Sequence, residues 1–262
     1  MTNALITAVQ SMQNDLQYID TISQNMVNMA TPGYKRSIPL TQAFGDAMRI
    51  AGTAGSTSAS PSTASFGGLT TAVSSANAFS SLTPTLTTML DLSAGAVKQT
   101  GRPWDLAITG DGYFELATPE GTAYTRAGDF HLDGSGRLVS VGGFAVQGQS
   151  GDIVLSGNNA TVDHTGNVMQ DGATVAQIKI VQFKDGKAMQ KTPAGFLRPG
   201  TATGSVADMP ELQVGYLESS NVTPLREMIA MMETTRHFEA AQKLFQGYDE
   251  MLRTAIQKLG EF

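Results

Sequence analysis

From Leu5 onward apolar residues fall at Leu5, Val9, Met12, Leu16, Ile19 and Met26, with Ser23 in the one vacant slot. The steps of 4, 3, 4, 3 and then 7 trace a heptad seam along a helix. Thr2 is a fair N-cap. The helix should end near Ala30, because Pro32 drives Thr31 out of helical geometry and Gly33 supplies a turn. The far end of the chain repeats the pattern. Thr223 stands at an N-cap with Pro224 at the first helical position, and Leu225, Ile229 and Met232 form one stripe. After a phase shift, Phe238, Ala241, Phe245, Tyr248, Leu252, Ala255 and Leu259 form a second, ending at Gly260. At 1.5 Å per residue these helices span roughly 40 and 54 Å.

Between Asp105 and Gln213 the period drops to two. Short runs such as "DLAITG", "GYFELA" and "RLVSVGG" are cut by glycine turns and predict antiparallel hairpins. One unit recurs, Leu132-Asp133-x-x-Gly136-x-Leu138 and Val162-Asp163-x-x-Gly166-x-Val168. Asp caps the turn and Gly takes the positive φ of the following bulge. "FKDGKAM" reads as a further hairpin. Residues 50–90 carry no Asp, Glu, Lys or Arg, and 29 of residues 51–90 are Ser, Thr, Ala or Gly. Such a stretch suits a linker or a segment ordered by neighbouring subunits.

The expected fold is α+β. Long N- and C-terminal helices form a coiled-coil-like pair, and a central antiparallel β-rich domain of hairpins lies between them. Four segments follow: an assembly helix and exit turn (1–36), an uncharged connector (37–100), a β domain (101–215) and a second assembly helix (216–262).

A net charge of −6 and a pI near 5.0 disfavour nucleic acid as a partner, since phosphate binding needs clustered Lys and Arg. No cysteine is present, which removes disulfides and thiolate metal sites. No apolar run approaches the roughly 20 residues of a membrane span, and no basic, apolar leader opens the chain. The expectation is therefore no membrane insertion, and either a cytosolic protein or export by a route that cleaves nothing. Chemistry is equally sparse. His131, His164 and His237 lack metal-ligand spacing, no Gly-x-Ser-x-Gly occurs, and "GDG" at 110–112 is too short to cradle a phosphate. The turn aspartates lack the closing Glu of a calcium loop. No catalytic, cofactor-binding or metal site is expected, which points to a structural protein. The two seams bury too little apolar surface to order the helices alone, so other helices should cover them.

Three blocks carry a resemblance. "NMVNMATPGYKR" resembles the N-terminal signature of the bacterial flagellar rod and hook axial proteins at Asn25, Asn28, Thr31, Gly33, Tyr34 and Lys35, with Gln24 and Val27 as departures. The block from Thr100 to Val139 resembles the central motif of that family, with Trp104 and Tyr113 as apolar-for-apolar departures. "GYLESSNVTPLREM" and the helix after it resemble the C-terminal block, in which Asn221 belongs to the Ser-Asn-Val before the helix. His237 departs there from an aromatic or Ala.

The resemblance implies a non-enzymatic subunit of a helical tube that transmits torque from motor to hook. "GRPWDLAI", "GDIVL" and "REM" look closer to the proximal-rod than the distal-rod type. The implied partners are copies of the chain, other axial proteins and the flagellar type III export apparatus. The implied place is the periplasm-spanning rod of the basal body. The two competing readings are a secreted or surface β-rich binding module with a helical stalk, and an enzyme with an unrecognised carboxylate site.

Overall fold

The computed structural model describes residues 2–41, 86–156, 160–183, 189–192, 195–200, 203–207 and 211–260. A helix stands at each end, α1 (Thr2–Val27) and the longer α2 (Pro224–Gly260), and the regular elements between them among the described residues are β-strands. The uncharged segment falls largely outside the described residues, as does most of "FKDGKAM".

The chain divides into two compact units. One holds most of both helices and most of the strand pair Ser37–Thr41 with Leu86–Leu90. The expected coiled-coil pair is not what this unit contains. Val9, Leu16, Leu225, Ile229, Met232, Phe245 and Leu252, all seam positions, are exposed, Leu225 by 67% and Leu16 by 52%. Met12, Ile19, Met26, Phe238 and Tyr248 are only half-buried. The seam is not zipped against the other helix, so the architecture is a mostly β chain with a short helix at one end and a longer one at the other. A heptad spacing fixes which face of a helix is apolar, but not what covers it.

The second unit, Ser23–Ser37 with Leu90–Glu227, is built on an antiparallel sheet. Strand Tyr113–Thr118 pairs with Gly121–Thr125 on one side and Ala145–Gly148 on the other. Alternation along it sorts two faces. Phe114 and Leu116 enter the main core with Leu106, Leu138, Val146 and Ile180, and Phe114 meets Phe130 edge-on at 5.0 Å. Tyr113 faces a smaller cluster with Met189 and Leu197.

One turn recurs four times among the described residues. The amides of Asp133, Ser140, Asp163 and Thr192 each bond the carbonyl four residues on, and the glycine at the third following position bonds back. Those glycines, 136, 143, 166 and 195, have φ between +77° and +85°. Only glycine adopts that geometry without strain.

Candidate functional site

The motif residues converge on one buried polar junction in the second unit. Six chain segments meet there: the end of α1, the turn from Asn28 to Ser37, residues 91–95, Arg126, the strand Tyr216–Glu218 and the start of α2. The first step is the end of α1. The Asn28 side-chain amide donates to the Gln24 carbonyl at 2.8 Å, and the Thr31 hydroxyl donates to Asn28 Oδ1 at 3.2 Å. Gly33 then takes φ +66° and donates its amide to the Glu218 carbonyl at 2.8 Å. A Cβ at Gly33 would collide with the backbone of Arg126 and Ala127, so this is a glycine by close approach as well as by φ.

Asn25, 1% exposed, uses its full hydrogen-bonding capacity. Nδ2 donates to the Ser37 carbonyl (2.8 Å) and Glu227 Oε2 (3.2 Å). Oδ1 accepts from the Ser37 amide (2.9 Å) and the Tyr34 hydroxyl (3.3 Å). Glu227, fully buried in the first turn of α2, also pairs with Arg36. Asn221 accepts the Arg36 amide at 2.7 Å and donates to the Asp91 carbonyl at 2.8 Å. A second buried glutamate, Glu218, takes Lys35 Nζ at 2.7 Å, the Gly95 amide at 2.9 Å and Arg126 Nη1 at 3.2 Å. Lys35 also donates to the Ser93 carbonyl at 2.7 Å. Burial pulls the Lys35 pKa down and pushes that of Tyr34 up, so desolvation is the dominant cost for both.

The sequence motif therefore marks Asn25, Gly33, Tyr34, Lys35 and Asn221 as neighbours in one network, with Asn28 and Thr31 closing the helix above it. The seam residues lie elsewhere on the helices, and the side chains of Leu5 and Leu259 fall outside those described. Sequence reasoning missed Arg126, Glu218 and Glu227 as partners. All three lie inside the quoted blocks, and a lone charge amid the apolar residues of "AYTRAG" or "GYLESS" was the available signal. Of the histidines, His131 and His164 are exposed, and His237 Nδ1 lies 2.7 Å from Asp15 Oδ2.

The arrangement fixes directions: it sets how the chain leaves α1 and how it enters α2. Removing either glutamate would strand a buried cation, whereas the intact pairs hold one geometry.

Two family profiles match the chain, the flagellar hook protein FlgE/F/G D1 domain over residues 107–181 and the flagellar basal body rod FlgEFG protein C-terminal region over residues 213–258. The chain is 32% identical to the flagellar basal-body rod protein FlgG of Bacillus subtilis, over 98% of both chains. The chain belongs to the flagellar basal-body rod protein family. The rod protein FlgF of Rhizobium meliloti is 27% identical over 99% of both chains. FlgG of Caulobacter vibrioides is 30% identical over 97% of this chain and 98% of its own. Rod proteins of this family are structural and assemble with other flagellar axial proteins. The C-terminal match begins at Gln213 and so takes in Glu218, Asn221 and Glu227 together with α2. Among the described residues no helix is long and apolar enough to cross a membrane.

Lys191 lies over the Tyr34 ring, with Nζ 3.5 Å from its centroid, and burial lowers its pKa to about 8. The unfolded chain holds that proton up to about pH 10.4. Between about pH 8 and 10.4 the unfolded state binds more protons, so stability rises with pH in that window and is flat below it. Chemical denaturation across pH 7–10.5 should show this rise in the native protein, and Lys191→Met should remove it.

Proposed function

We propose that this chain is a structural subunit of the flagellar basal-body rod, of the proximal-rod type, joining copies of itself and other axial proteins in a helical tube that carries torque from motor to hook. One observation carries the reading. α2 starts from a buried, ion-paired anchor at Glu227 and then exposes Ile229, Met232, Leu244, Phe245, Met251, Leu252 and Ile256. So much apolar surface on one helix marks a face that other chains cover. In this reading the seams of α1 and α2 meet neighbouring subunits, and the polar junction holds the exit turn at a fixed angle. The segments 1–36, 37–100, 101–215 and 216–262 serve as assembly helix, connector, outer β domain and assembly helix. The chain reaches the periplasm-spanning rod through the flagellar type III apparatus. The residues around "GRPWDLAI", "GDIVL" and "REM" support the proximal position.

Phe245→Glu tests the assembly face. Phe245 is 41% exposed, so in the monomer the glutamate meets water and shifts stability by no more than about 0.5 kcal/mol. In a polymer the same carboxylate would be buried without a partner, at a cost of several kcal/mol. The expected result is unchanged melting, normal export, no incorporation into the rod and no motility. Gln242→Glu, at a polar position three residues earlier, is the control and should swim. Motile cells with Phe245→Glu would remove α2 from the assembly surface.

A further inference from the structure

Beside the junction lies a small cavity with room for about one water-sized body. It is lined by Gly33, Lys35, Tyr124, Arg126, Lys191 and Leu197, among others. Three of those residues are cations. Glu218 is the one carboxylate hydrogen-bonded to any of them among the described residues, and it serves both Lys35 and Arg126. Arg126 is 6% exposed and spends its two terminal nitrogens on Glu218 and on the carbonyls of Ile108 and Gly110. Its Nε is buried with no partner among the described residues. An orphaned guanidinium N–H costs free energy of the order of a lost charged hydrogen bond. Lys35 Nζ uses two of its three protons on Ser93 and Glu218. Lys191 Nζ has the Tyr34 ring for a neighbour and no hydrogen-bond acceptor among the described residues.

We propose that this cavity binds a single small monovalent anion, held between Lys191 and Arg126 with Lys35 behind. Three cations line the cavity; Glu218 is the carboxylate bonded to two of them, and Glu115, beside Tyr124, is already paired with Lys179, so the balance favours an anion over water. An anion there would neutralise Lys191 and offer Arg126 Nε an acceptor. Desolvation by burial lowers the Lys191 pKa to about 8. A bound anion opposes that shift, because an opposite charge nearby favours the ammonium form.

The probe is chloride, with gluconate at equal ionic strength as the reference, on the full-length monomer. Lysine side-chain NMR should show the Lys191 pKa at least one unit higher in chloride, a tenfold change in its protonation equilibrium. The thermal midpoint should rise with chloride and saturate. Lys191→Met should fold in gluconate and lose the saturable rise, and Lys191→Arg should retain it. An equal Lys191 pKa in both salts, or the same chloride response in the native protein and Lys191→Met, would mean that the cavity holds only water and overturns the proposal.

Discussion

Glu227→Ala should destabilise the protein by about 3–5 kcal/mol, because it strands Arg36 with its charge largely out of water. The Arg36 side chain is 14% exposed and pairs with Glu227. The same substitution also takes an acceptor from Asn25 Nδ2, although the Ser37 carbonyl remains. The effect combines an unpaired cation with a weakened amide, and both sit where α2 begins. Glu227→Gln keeps an acceptor for Asn25 and a neutral partner for Arg36, so it should lose less than Glu227→Ala. Urea denaturation of the full chain measures both. Equal and small losses would mean that Arg36 finds water when Glu227 is gone, and the junction would then not be an ion-paired anchor.

Gly33→Ala should be comparably damaging through a different cause. Left-handed backbone costs a residue with a Cβ about 1–2 kcal/mol. At Gly33 the added carbon also collides with the Arg126 and Ala127 backbone, which has no flexible end to yield. The total should be about 3 kcal/mol or more. Gly101 provides the comparison. Its φ is +75°, yet nothing lies within 4 Å of a Cβ built there. Gly101→Ala should therefore show the conformational cost alone. If the two variants melt together, the close approach of the exit turn to the Arg126 and Ala127 backbone carries no energy.

What was legible in the sequence was local. Pro32 and Gly33 announce the end of α1, although the regular helix stops at Val27 and a turn carries the chain on to the proline. Thr223-Pro224 and Gly260 bracket α2 where it lies. Asp133 and Asp163 give away two of the four repeated turns. The copies at Ser140 and Thr192 use hydroxyl residues that occur everywhere in this chain, so the pattern drowns in its own background. The site was half legible. A motif singled out Asn25, Gly33, Lys35 and Asn221, but their partners Arg126, Glu218 and Glu227 lie about a hundred to two hundred residues away, and no local period links them. The coiled-coil pair failed for a related reason. Leu16 and Leu225 sit on well-formed apolar stripes, and a stripe is silent about whether its cover comes from the same chain.

The separation of those partners governs the order in which the protein folds. Each repeated turn closes a loop of four residues, as in the Asp133 amide bonded to the Arg137 carbonyl. The Asn25–Glu227 bond closes one of 202. Loop-closure entropy grows as the logarithm of length, so the long closure costs about 3–4 kcal/mol more than the short one. Local hairpins form on the microsecond scale, while contacts of high sequence separation wait for the chain to compact. The β hairpins are therefore expected to form first, and the Asn25–Glu227 contact late.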